Sequence, residues 1–190
     1  MGLFSSEKVQ RVVEQCEQVI AAKDDAWSLD RPSAVWLYEL ALLRRAKLIV
    51  EIGASYGHSG LFLADAALRN RGQFFTAEKE SRKVQIVKQF LVQAGLDANS
   101  TVLEGAAPDV LSGVPNGIDF LFIDAAKPEQ DSYLDALWNK LSDRAVIVTD
   151  NVTTHADDMA GFLRRLRDDP RMISTLNPIG HGMECTLRMQ

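Results

Sequence analysis

Two short acidic strings could bind a metal ion. Asp124 ends the apolar run Ile118 to Ile123, and Asp150-Asn151 ends the apolar run Ala145 to Thr149. If these runs are neighbouring strands, two carboxylates and one amide oxygen converge on one point. Such hard oxygen donors, completed by water, suit Mg²⁺ or a similar divalent cation, and they lack the thiolate or imidazole groups that zinc prefers. An Asp at a strand end can equally cap the next loop or helix. Lys127 lies directly before Pro128, where a helix is expected to begin. That spacing predicts Lys127 at the N-cap, a poor position for Lys at the positive end of the dipole. A lysine so placed beside a cation is a candidate general base, and a solvated surface Lys is the alternative.

A second constellation is glycine-rich: Glu51-Ile52-Gly53-Ala54-Ser55-Tyr56-Gly57-His58-Ser59-Gly60. Glycines between a strand and a helix let a ligand approach the backbone and meet its N–H groups. Glu78 ends the next apolar run, where an acid can accept hydrogen bonds from ribose hydroxyls. Together they suggest an adenosine-type ligand. The chain contains neither GxxxxGK[ST] nor GxGxxG, so a phosphate P-loop and the dinucleotide fingerprint are excluded. Tyr38, Tyr56 and Tyr133 are followed four residues on by Leu42, Gly60 and Leu137, so a short-chain dehydrogenase lacks its Tyr–Lys pair. Gly53 to Gly57 also matches the nucleophile elbow GxSxG, with Ser55 as nucleophile and Asp150 and His181 following in order. This elbow would follow the first strand, and no oxyanion-hole segment precedes it.

The elements that must position these residues follow from hydrophobic spacing. Val9, Val12, Val13, Cys16, Val19 and Ile20 predict an amphipathic helix opened by Ser6-Glu7, and Pro32 opens a second helix to about Arg45. Strands are expected at 48–52, 74–77, 101–103, 118–124 and 145–150, with helices between them. Two further strands, about 171–177 and 182–189, are joined by the turn 178–182. Alternating strands and helices predict an α/β fold: a mostly parallel seven-stranded sheet, helices on both faces, and a C-terminal antiparallel hairpin. In such sheets ligands bind beyond the carboxyl ends of the strands. One domain is expected over 1–190, with N-terminal helices at 1–45 and the core at 46–190.

The 190 residues carry 21 Lys and Arg against 26 Asp and Glu, a net charge of −5, which disfavours a general nucleic-acid binder. Cys16 and Cys185 show no metal or disulfide spacing. No apolar stretch approaches the roughly 20 residues of a membrane span, and the first residues lack a signal-peptide pattern. A cytoplasmic protein without a membrane partner is expected. Met1-Gly2 with Ser6 meets the loose myristoylation pattern, which is read as chance.

These motifs resemble the class I S-adenosylmethionine-dependent O-methyltransferases, in the divalent-cation-dependent branch of catechol and caffeoyl-CoA O-methyltransferases. The resemblance spans about residues 32–189. Glu51 to Ser59 is similar to the methionine-binding loop, Asp124 to Lys127 to the Asp-x-x-Lys segment, and Val146 to Asn151 to the strand ending in the metal-binding Asp-Asn pair. The resemblance implies that Glu51, Gly53 and Ser59 hold the methionine part of the cofactor. It gives Glu78 the ribose, Ala106 and Ala107 the adenine, and Asp124 a place at both cofactor and metal. Asp124, Asp150 and Asn151 would bind Mg²⁺ or another divalent cation, and Lys127 would be the base. His155 and Glu184, with the loop around Trp27, would line the acceptor pocket. Ala126 replaces an acid near the cofactor, Asp30-Arg31-Pro32-Ser33 differs from the usual entry, and His155 replaces an Asn. The implied reaction is methyl transfer to a hydroxyl of a small aromatic vicinal diol. The implied assembly is a homodimer. Alternatives are methylation of an RNA nucleoside, a non-catalytic adenosyl-ligand binding protein, and the hydrolase using Ser55.

Overall fold

The computed structural model describes residues 2–189; Met1 and Gln190 lie outside the described residues, and with them the ends of the expected domain and the first residue of the myristoylation pattern. Seven strands, β1 (Leu48–Ile52), β2 (Gln73–Glu78), β3 (Ser100–Glu104), β4 (Ile118–Ile123), β5 (Leu141–Thr149), β6 (Met172–Asn177) and β7 (Met183–Arg188), form one sheet. Their order is β3-β2-β1-β4-β5-β7-β6. The first five are parallel, and β7 runs antiparallel to both β5 and β6. The expected fold class is therefore the observed one.

Alternation along the strands divides the core. Ile49, Phe74, Phe120, Phe122 and Val148 face one layer, built on α1 (Glu7–Ala21), α2 (Arg31–Leu43), α3 (His58–Arg69) and α4 (Ser81–Ala94). Val50, Ile52, Leu121, Ile123 and Ile147 face the other, built on α5 (Gln130–Leu137) and α6 (Ala156–Asp168). Burial on both faces is what makes these strands continuous apolar runs. The helix starts follow local chemistry. Ser6 caps α1 by accepting from the Val9 N–H, and Asp30 caps α2 by accepting from the Ser33 N–H at 2.9 Å. Gly95, at φ +73°, ends α4 in the left-handed conformation that suits glycine.

One start differs from expectation. A 3₁₀ turn spans Lys127–Glu129, and α5 begins only at Gln130. Lys127 is thus the first residue of the turn rather than an N-cap. The tighter turn tolerates Pro128, which lacks an N–H, and the Glu129 N–H closes it onto the Ala126 carbonyl at 3.1 Å.

The strand order reverses direction between β1 and β4. Their connections leave on opposite sides, which opens a crevice at their carboxyl ends. Among the described residues, no helix is long and apolar enough to cross a membrane.

Candidate active site

A cavity of about 720 Å³ occupies that crevice, a volume suited to a nucleoside-sized ligand. Its walls carry Gly53 and Ser55 after β1, Glu78 at the end of β2, and Gly105, Ala106 and Ala107 after β3. Asp124 to Lys127 follow β4 in the wall, and Asp150 and Asn151 follow β5. Gly53, Glu78, Ala106, Ala107, Asp124, Lys127, Asp150 and Asn151, all singled out from sequence, meet here with His155.

Gly53 is required by geometry. Its φ is +97°, and a Cβ there would stand 2.1 Å from the Asp124 carbonyl oxygen. The missing side chain lets the β1 turn and the end of β4 approach closely. Glu78 is held in place from behind. Oε2 accepts from the Ser55 N–H and Oε1 from the Glu80 N–H, both at 2.9 Å. Its remaining lone pairs can accept further hydrogen bonds from a ligand.

Glu51 and Ser59, expected at the methionine part of the cofactor, lie behind the cavity wall and not in it. Glu51 points into the α3 layer and is fully buried. Ser59 Oγ donates to its Oε1 and Thr76 Oγ1 to its Oε2, each at 2.6 Å. Burial pushes the Glu51 carboxyl up to about 7, against the opposing effect of these two bonds. The pair braces the glycine turn from behind by tying β1 to β2 and to the first turn of α3.

Asp124 and Asp150 stand at the ends of adjacent strands, with the Asp150 N–H donating to the Ile123 carbonyl at 3.2 Å. Asp150 is buried and its Oδ1 has no hydrogen-bond partner. Burial first, and the Asp124 charge second, push its carboxyl up to about 6. Lys127 Nζ lies 3.1 Å from Asp124 Oδ1, and both side chains are mostly buried. Asn151 adopts a left-handed φ of +64°. Among the described residues, no group of three or more His, Cys, Asp or Glu side chains is arranged to hold a metal ion. The expected set contains only two acids and an amide. An orphaned carboxylate oxygen between a second carboxylate and an amide is nonetheless the chemistry of a hard cation that keeps several waters.

His155 lines the cavity at its open rim. Glu184, also expected at the acceptor, does not line it. Within β7, Met183 and Cys185 face the layer of α1 to α4, so Glu184 faces α6. It is fully buried, and Arg167 Nε and Nη2 grip its two oxygens at 2.8 and 2.6 Å. Ser174 Oγ donates to the same carboxylate.

The hydrolase reading fails on contacts. Ser55 Oγ is buried without a partner, so no base engages it, and His181 lies against Asn151 instead. Three basic side chains outside the cavity are held in ion pairs. Arg44 pairs with Asp119, Arg165 with Asp131 and Asp135, and Arg167 with Glu184.

Sequence reasoning overlooked several lining residues: Ser28, Lys79, Glu80, Lys83, Glu129, Tyr133, Thr154 and, in this role, His181. Tyr133 donates to Glu129 Oε2 at 2.8 Å, and Lys83, buried, bonds Glu80 at 2.8 Å. Their i, i+4 and i, i+3 spacings were the available signals. The loop 22–30 brings Ala26, Trp27 and Ser28 over the opening, with Trp27 79% exposed.

Comparison with known proteins bears on the family and the fold. The family model described as a methyltransferase domain matches residues 50–152, more than half of the chain. A catechol O-methyltransferase of Niastella koreensis is 32% identical over 121 residues, covering 62% of this chain and 54% of its own. The O-methyltransferase hkm8 of Aspergillus hancockii is 24% identical over 224 residues, covering 95% and 89%. The crystal structure of the Bacillus cereus O-methyltransferase in complex with SAH superimposes with a TM-score of 0.84 at 23% identity, covering 94% of this chain and 90% of that one. The chain belongs to the methyltransferase-domain family. Its motif resemblance to the class I S-adenosylmethionine-dependent O-methyltransferases is borne out at the level of family and fold.

Proposed function

We propose that the protein transfers the methyl group of S-adenosylmethionine to a hydroxyl of a small aromatic acceptor bearing adjacent hydroxyls. The observation that carries this reading is the convergence of Gly53, Glu78, Asp124, Lys127, Asp150 and Asn151 on one cavity of nucleoside size. Gly53 admits the donor against the backbone, Glu78 accepts its ribose hydroxyls, and Ala106 and Ala107 flank its base. Asp124, Asp150 and Asn151 would hold a divalent cation, which supplies Lewis-acid polarisation of the acceptor hydroxyl when bound. Lys127 takes the acceptor proton as the oxygen bonds to the methyl carbon and the carbon–sulfur bond breaks. Holding oxygen and methyl in line supplies much of the rate. Trp27 and His155, at the rim, are placed to contact the acceptor ring.

The test uses methyl-labelled donor with catechol-type acceptors and with structured RNA, with and without EDTA. Labelled catechol ether, abolished by EDTA and reduced at least 100-fold in Lys127→Met, is expected. Activity indifferent to chelation would remove the cation from the reading. Label entering RNA alone would replace the acceptor.

A further inference from the structure

We propose that His181 is a positioning residue for the cation site, taking the Asn151 amide N–H on Nδ1 so that Asn151 Oδ1 is the atom presented to the cavity. The inference rests on the divalent-cation reading above. A side-chain amide has two faces of nearly equal size: an oxygen that binds cations and an NH₂ group that repels them. A neighbouring ring nitrogen that accepts from the amide decides which face turns inward. His181 Nδ1 stands 3.4 Å from Asn151 Nδ2.

The rest of Asn151 is already fixed. Its carbonyl accepts from the His155 N–H at 3.0 Å and from Thr154 Oγ1 at 3.3 Å, so only the amide remains to be oriented. The backbone that carries the imidazole is fixed as well. The turn 178–182 is latched to the segment after β5: the Thr153 N–H donates to the His181 carbonyl and the Val152 N–H to the Gly182 carbonyl, both at 3.1 Å. Thr153 Oγ1 also donates to the His181 carbonyl. Gly182, at φ +81°, has no room for a side chain, since a Cβ would stand 2.4 Å from Thr153 Cγ2. Two segments 30 residues apart in sequence are thereby held so that one ring meets one amide. Removing a group that orients a metal ligand from behind changes metal affinity by about 10- to 100-fold.

The experiment is a Mn²⁺ titration of the intact protein, read by calorimetry and by the electron paramagnetic resonance of free Mn²⁺. His181 is exposed, so His181→Ala is expected to fold and melt as the native protein does. It should bind Mn²⁺ about 10-fold more weakly, with S-adenosylhomocysteine affinity unchanged. His181→Gln, whose amide oxygen can accept from Asn151, should recover most of the loss. Native affinity in His181→Ala would overturn the proposal. Equal loss in both variants would also overturn it, by making the imidazole itself a ligand. A native protein that binds no Mn²⁺ would remove the cation reading, an outcome distinct from either.

Discussion

The Tyr56 hydroxyl donates to Oδ1 of Asp25 at 2.8 Å, joining the turn after β1 to the loop between α1 and α2. Arg82 grips the other Asp25 oxygen at 2.6 Å, and Lys83 reaches the Asp25 carbonyl. The Tyr56 bond, followed by Arg82, holds the Asp25 carboxyl below its usual range. The loop that carries Trp27 is therefore tethered to α4, just beyond Glu78. Tyr56→Phe is expected to speed hydrogen exchange at residues 25–29 several-fold while leaving the sheet amides unchanged. Unaltered exchange in the loop would show that Arg82 and Lys83 hold it unaided.

Glu51 gives a pH signature. Its folded-state carboxyl sits near 7 against an ordinary 4.5. A raised acid makes its stabilising contribution below the unfolded value and loses it as pH climbs through the folded one. Native stability should thus fall by about 3 kcal/mol from this group between pH 4.5 and 7. Glu51→Gln should be flatter across that window, measured by urea denaturation at several pH values. Parallel curves for the two proteins would show that Glu51 ionises normally.

Two glycines separate strain from crowding. Gly117, at φ +94°, has nothing within 4 Å of an added Cβ, whereas Gly53 would meet the Asp124 carbonyl. Gly117→Ala should cost about 1 kcal/mol, the conformational penalty alone. Gly53→Ala should cost about 4 kcal/mol or more, or fail to fold. Thermal denaturation checks both, and similar losses would mean that β1 and β4 can move apart.

Arg167 and Glu184 form a structural pair away from the cavity. Arg167→Ala leaves a buried carboxylate without its cation and should cost about 2–3 kcal/mol, tempered by the partial exposure of the arginine. Cofactor affinity should not change. A selective loss of affinity with intact stability would return Glu184 to the binding site.

The central parallel strands were legible because burial on both faces writes them as apolar runs such as Ala145 to Val148. The carboxyl-end rule then led directly to Asp124, Asp150 and Glu78. Side-chain direction was not legible. Glu51 lies two residues before Gly53, and pleating alone sends it into the helical layer. Glu184 sits in a strand whose facing depends on its register with β5, Thr149 opposite Glu184, which no local pattern fixes. His181 was invisible as a neighbour of Asn151, because a turn far along the chain delivers it.

The last strand in sequence is not the last in space: β7 lies between β5 and β6. As the chain leaves the ribosome, β6 emerges with no partner to receive it, and β5 keeps an open edge. Both are completed only by Met183 to Arg188, which pair with β5 on one side and β6 on the other. This side of the sheet is closed in a single step, because one strand supplies the partner for both of its neighbours.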